Sequence, residues 1–205
     1  LMWLYSAGPG SLYTKKKVSS LAEIKGMRIR ATGNTAKSIK ALGAIPVAMP
    51  MPDVYEALSK GIVEGQIGPP EVLKGWKQAE VTKYITNLPP VYNSIMWTAM
   101  NLKKWNSLPK DIQEAVEFAS DITFRQNLAM VPAARAYAMS EMTKAGVQFY
   151  APTPDEREQW VAKAGAQLPA WDDIKKELLG SVDKFDALQE AANTFNGYYV
   201  HDVEG

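Results

Sequence analysis

Gly26-Met27-Arg28-Ile29-Arg30-Ala31 alternates apolar and basic residues between a helix-stopping glycine and the polar run Thr32-Gly33-Asn34-Thr35. Such alternation predicts a half-buried strand. Asn34 stands where a helix cap is expected, Thr35 to Leu42 follows as the helix, and Gly43 stops it. Ile45 to Met49 reads as the next short strand. Pro50-Met51-Pro52-Asp53 then turns the chain into a helix from Val54 to Lys60, closed by Gly61. Ile62-Val63 begins another strand, and Gly65 to Pro70 reads as a loop. Glu71 to Ala79 is helical with Trp76 packing inward, and Tyr84-Ile85-Thr86 and Val91 to Asn101 read as strands. Strands and helices in alternation, joined by short connections, predict an α/β lobe with a mainly parallel sheet. Ligands of such sheets sit beyond the carboxyl ends of the strands. That places the loops at Ala31–Asn34, Pro50–Pro52 and Gln66–Glu71 at the candidate crevice.

Working outward, Leu1 to Tyr5 reads as a buried strand ended by Ala7-Gly8-Pro9-Gly10. Those first residues are apolar but lack the basic lead-in and long core of a signal peptide, so a processed form or a fragment is expected. Ser19-Ser20-Leu21-Ala22-Glu23 carries the spacing of a capped short helix. Beyond the strands, Pro109 to Lys144 keeps helical spacing over a length that exceeds one small lobe. Pro132 lies inside it and removes one backbone donor, which predicts a kink. Val147-Gln148-Phe149 reads as a strand, and helices follow from Pro154, around Trp171–Leu179 and over Asp183–Phe195. The expected organisation is a hinge strand and entry over 1–25 and an α/β ligand-binding lobe over 26–108. A lobe-spanning helix over 109–145 and carboxyl-terminal elements over 146–205 complete it.

The 205 residues carry 23 lysines and arginines against 22 acids, a neutrality that argues against a nucleic-acid partner. Cysteine is absent, which removes disulfides, thiolate metal sites and thiol nucleophiles. A single histidine, His201, leaves no basis for a serine–histidine triad or a two-histidine zinc site. No window approaches the apolar length of a membrane span. There is no phosphate loop, dinucleotide fingerprint or nucleophile elbow, so no cofactor and no metal are expected.

Arg28 and Arg30 share one strand face at a spacing of two. From spacing alone, two solvated arginines on an outer sheet face is the simpler reading. A strand-end arginine facing a crevice would instead suit a bidentate carboxylate clamp. Asn34 offers polarity at a helix start, although a plain cap explains it equally well. Gln66, Gly68 and Pro69 can shape a pocket wall, with Gly68 allowing close approach to the backbone. Tyr92, Asn93, Met96 and Trp97 form an aromatic-rich strand whose default reading is core, while Tyr92-Asn93 at its start can line a crevice. Glu64 and Glu71 are the nearest approach to paired carboxylates, but the loop between them fixes no geometry.

The spacing of several segments resembles the solute-binding proteins of tripartite ATP-independent periplasmic (TRAP) transporters. Leu21 to Arg30 is similar to that family's "D-L-K-G-x-K-x-R" segment. Gly43-Ala44-Ile45-Pro46-Val47, Asp53-Val54-Tyr55-Glu56-Ala57-Leu58 and Gly61-Ile62-Val63-Glu64-Gly65-Gln66 resemble "G-A-x-P-x", "E-V-Y-x-A-L" and "G-x-V-D-G-Q". Glu80 to Thr86 and Trp105-Asn106-Ser107-Leu108-Pro109 resemble "E-V-x-K-Y-x-T" and "W-x-x-L-P". The resemblance implies a periplasmic, non-enzymatic protein that captures a small organic acid between two lobes and delivers it to membrane permease subunits. It implies that the carboxylate-clamping arginine is Arg30, that a lobe portion precedes Leu1, and that a long kinked helix spans both lobes. Two departures stand out. Gly68 occupies a place where the family often carries a ligand-contacting asparagine, and Gly8-Pro9-Gly10-Ser11 lacks a second arginine that many members have. No acidic residue stands at Ile67-Gly68, where members that bind a cation-bridged keto acid carry one. Sialic acid and simple dicarboxylates are thus disfavoured. With Met51, Pro69, Tyr92 and Trp97 available, a monocarboxylate with an apolar or aromatic body is expected. The alternatives are a ligand-sensing domain of a receptor or regulator, or a small-molecule lyase using Glu64 or Glu71. With part of a lobe missing, the isolated chain is expected to self-associate.

Overall fold

The computed structural model describes residues 2–88, 92–165 and 168–201. Among them, six short strands form one sheet in the order β4-β3-β5-β2-β6-β8. These are β2 (Ser11–Thr14), β3 (Arg28–Arg30), β4 (Ile45–Val47), β5 (Gly65–Gly68), β6 (Tyr84–Thr86) and β8 (Gln148–Tyr150). β3 runs parallel to β4 and β5, and β6 runs parallel to β8. β2 is the exception, inserted antiparallel between β5 and β6. The remaining strands, β1 (Trp3–Pro9) and β7 (Asn93–Thr98), form a separate two-stranded antiparallel sheet. The expected α/β architecture is present as a mixed, mostly parallel sheet with one reversed strand.

Side-chain alternation sorts the sheet into two faces. Leu12, Ile29 and Ile67 point to one face and meet Ile24 of α1 (Leu21–Ile24), Ile39 of α2 (Gly33–Ala41) and Trp160 of α7 (Pro154–Ala164). Trp160 is fully buried, and truncating an aromatic of that size in a core costs about 3–5 kcal/mol. Tyr13 and Ile85 point to the other face, onto Leu73 of α4 (Glu71–Gly75) and Met142 of α6 (Lys110–Lys144). A third cluster gathers Val54, Ala57 and Leu58 of α3 (Val54–Ser59) with Val63, Met49 and Met51. α5 (Leu102–Asn106), α8 (Asp172–Leu179) and α9 (Val182–His201) complete the chain.

Three readings are corrected here. Gly65–Gly68 is not a loop but the buried central strand β5. Its glycine is required by tertiary approach, because a Cβ on Gly65 would lie 2.7 Å from the Tyr13 carbonyl oxygen. The run Ala7-Gly8-Pro9 does not end the first strand, which extends to Pro9, and Ser11–Thr14 adds an unanticipated strand. Trp76 is not inward-facing: α4 ends at Gly75, and Trp76 is 44% exposed beyond it.

The long helix is present as one run of 35 residues with Pro132 inside it. Its buried side chains are Ala138 and Met142, both in the last third, whereas Phe118, Phe124, Leu128 and Met130 are exposed. The expected strand start at Val91 and the tail from Asp202 lie outside the described residues.

Candidate functional site

Because β3, β4 and β5 are parallel, their carboxyl ends share one edge of the sheet. The reversed direction of β2 brings its amino end, at Ser11, to that same edge opposite Gly68. The edge therefore gathers Arg30, the residues after Val47, Gly68 and the Pro9–Gly10 crossover from the two-stranded sheet. This is the edge at which α/β sheets hold ligands.

Arg30 closes β3, with Val47 on one side of it and Gln66 on the other. Its Nε and Nη2 both donate to the Met49 carbonyl oxygen, at 3.1 and 3.0 Å. One carbonyl thus fixes the plane of the guanidinium and leaves the Nη1–Nη2 edge, a parallel pair of donors, for a carboxylate. The side chain is half-buried, and burial pulls its pKa below the ordinary arginine value while Tyr92 pushes it up. Arginine stays a cation under such shifts. Among the described residues no carboxylate forms an ion pair with it, so the buried charge has no internal counter-ion.

Arg28 differs in every respect. Its Nη2 donates to the Gly61 carbonyl at 2.8 Å, its Nε lies 3.9 Å from Glu64 Oε2, and both side chains are exposed. Glu64 is further held by the Arg28 backbone N–H at 3.1 Å. Both charges are spent on joining β3 to the turn before β5.

Tyr92 sits beside Arg30, and its carbonyl accepts from the Gly10 N–H at 3.1 Å. A Cβ on Gly10 would stand 2.5 Å from Tyr92 Cδ1 and 2.7 Å from the Gly68 carbonyl oxygen. Gly10 is therefore a contact point that only glycine fits. Gly68 is different, since its Cβ would meet only Val72 Cγ2 at 3.6 Å and Gln66 Oε1 at 3.8 Å, ordinary contacts. Pro69 is buried next to it.

Gln66 is fully buried, donates through Nε2 to Gln78 Oε1, and leaves its own Oε1 without a partner among the described residues. Gln78 Nε2 in turn donates towards Met51 Sδ at 3.4 Å. A thioether only accepts, so Met51 sets the orientation of both amides. Met51 thereby acts from the α3 cluster behind the crevice. Tyr13 shares the sheet row with Gln66, and burial pushes its hydroxyl well above the ordinary tyrosine range.

Of the expected residues, Arg30, Gln66, Gly68, Pro69 and Tyr92 come together. Asn34 lies in the first turn of α2, which begins at Gly33 with Thr32 at its cap, and is exposed. Asn93 opens β7 opposite Pro9, next to the crossover. Trp97 is not part of this edge: it pairs with Leu4 farther along β7 and is 68% exposed. Glu71 is the first residue of α4, after Pro70 at the cap, while Glu64 is engaged by Arg28, so no contact joins the two carboxylates among the described residues. Residues the sequence did not single out are Gly10, Met49 and Gln78. Each depends on a contact with a distant segment, which no local pattern announces. A cavity of about 650 Å³ lies elsewhere, lined by Trp3, Trp105, Glu117, Asp121 and Phe124 among others, and shares no residue with the Arg30 edge.

Residues 1–176 match bacterial extracellular solute-binding protein family 7, the DctP family, and the chain belongs to it. It is 30% identical over 135 residues to the C4-dicarboxylate-binding periplasmic protein DctP of Rhodobacter capsulatus, a match covering 65% of this chain and 40% of that protein. Among solved structures, it resembles a TRAP solute-binding protein from Rhodoferax ferrireducens T118 in complex with copurified benzoate. That match has a TM-score of 0.74 and 28% identity, and covers 86% of this chain and 57% of the other. A marine metagenome TRAP solute-binding protein specific for aromatic acid ligands shares the fold at TM-score 0.77 and 24% identity, over 86% of this chain and 57% of its own. The chain thus spans roughly half the length of these relatives, which are solute-binding proteins and not enzymes.

Proposed function

We propose that this chain forms the carboxylate-clamping part of an extracytoplasmic solute-binding protein. That protein captures a small organic acid and delivers it to the membrane subunits of a TRAP transporter. The observation that carries the reading is Arg30: a half-buried guanidinium at the ligand edge, oriented by the Met49 carbonyl, with no acidic partner among the described residues. A ligand carboxylate on the Nη1–Nη2 edge supplies the missing counter-charge and two parallel hydrogen bonds. Closure of a second lobe over this edge dries the pair and strengthens it. Tyr92, only partly buried beside Arg30, offers aromatic surface, which favours an acid with an apolar or aromatic body. The benzoate found with the Rhodoferax relative supports that choice. Periplasmic residence accords with the family, and no helix among the described residues is long and apolar enough to cross a membrane.

Native mass spectrometry of the protein purified from cells, followed by release and identification of what it carries, tests this directly. A small carboxylic acid is expected. A neutral sugar or a cationic amine as the retained molecule would overturn it.

A further inference from the structure

We infer that Arg135 is a positioning residue for the binding edge: from α6 it holds the Pro9–Gly10 crossover, and through it the place of Tyr92 beside Arg30. Arg135 Nη1 donates to the Pro9 carbonyl oxygen at 2.7 Å, across 126 residues of sequence. Pro9 has no N–H, so its carbonyl is the one backbone polar group by which this residue can be tied down. The ladder between β1 and β7 is irregular between Ser6 and Pro9, so regular pairing does not fix the segment. The next residue tolerates no displacement. Gly10 donates to Tyr92 and packs against the Gly68 carbonyl so closely that a single methyl group has no room.

The helix end that carries Arg135 is itself anchored to the six-stranded sheet. Met142 and Ala138 are buried, Lys74 of α4 lies 3.8 Å from Glu141, and its Nζ stands 3.7 Å from the Tyr137 ring centroid. Pro132, one turn before Arg135, breaks the backbone ladder of α6 between this anchored end and the exposed remainder. Arg135 thus ties the crossover to the part of α6 that is fixed to the ligand-binding sheet. Electrostatically it also faces Tyr13, whose hydroxyl it favours in the charged form while Glu71 opposes this.

The test is amide hydrogen exchange on the protein and on Arg135→Ala and Arg135→Lys, with carboxylate affinity measured in parallel. In Arg135→Ala, exchange at Gly10 should rise about three- to tenfold, the scale of one lost solvent-exposed hydrogen bond, while Ile39 and Ile85 stay unchanged. Arg135→Lys should restore Gly10, because a single N–H donor satisfies a carbonyl. Affinity in Arg135→Ala should fall by one common factor for every carboxylate, and Arg135→Lys should recover it. Unchanged exchange at Gly10 would overturn the inference, as would a rise shared by Ile39 and Ile85, which marks general destabilisation. A change in preference among acids would also overturn it, since that marks direct ligand contact. The affinity arm rests on the carboxylate reading, but the exchange arm needs no ligand and stands apart from it.

Discussion

Arg30 can be tested by two substitutions that separate charge from shape. Arg30→Ala removes the cation and both donors to Met49, so the ligand carboxylate meets a partly buried edge with no counter-charge. Truncating one partner of a buried, hydrogen-bonded charge pair costs about 2 kcal/mol or more, which corresponds to at least about a thirtyfold rise in Kd. Arg30→Lys keeps the charge but loses the planar fork. In the present geometry one donor direction goes to the Met49 carbonyl and the opposite pair of N–H groups to the ligand, an arrangement a lysine ammonium cannot reproduce. Arg30→Lys should therefore fail nearly as badly as Arg30→Ala. Arg28→Ala is the control: Arg28 joins Gly61 and Glu64 on the exposed side of the sheet and should leave affinity close to that of the unaltered protein. Isothermal calorimetry on the naturally expressed protein, with the acid identified by mass spectrometry, provides the measurement. Arg30→Lys binding at unaltered affinity would refute the bidentate clamp.

Gly68→Asn should fold, since the first added carbon meets only ordinary contacts, but it should weaken binding of a bulky acid or improve binding of a smaller polar one. An unchanged ligand profile would show that Gly68 does not line the crevice. Gly10→Ala should destabilise the protein by about 1–3 kcal/mol through overpacking against Tyr92 and the Gly68 carbonyl, and an unshifted melting temperature would contradict that packing. The 205-residue chain by itself should self-associate in light scattering, because Phe118 and Leu128 on α6 and Ile95 and Trp97 on β7 are each more than 60% exposed. A clean monomer at high concentration would show that these faces need no cover.

The strand–helix alternation around Gly26 was readable because each element there is local, stopped by a glycine such as Gly43 or Gly61 and followed by a short crossover. Arg30 could be separated from Arg28 only through its resemblance to a family motif. The two differ in surroundings contributed by Met49 and Tyr92 on one side, and by Gly61 and Glu64 on the other. β5 was hidden because its glycines look like loop residues locally, while Gly65 is there to admit the backbone of β2. The two-sheet division escaped for a similar reason. β7 has strand composition, but composition does not say that its partner is β1 rather than β6. Trp97 stands apart from Tyr92 for a simple reason: extended backbone carries it away at about 3.3 Å per residue, to a place opposite Leu4.

The reversed strand β2 also governs the order in which the molecule can assemble. It precedes both of its partners in sequence, for its two ladders are formed by Gly65–Gly68 and Tyr84–Thr86. Until the second of these is in place, Leu12 and Tyr13 have no complete neighbours, although both end fully buried on opposite faces. The block β4-β3-β5 can close through short local crossovers, but its union with β6 and β8 waits for a strand threaded between them. Long-range closure of that kind is slow compared with local pairing. Seating β2 is therefore a long-range step, and it joins the strand that carries Gly68 to the β6–β8 half of the sheet.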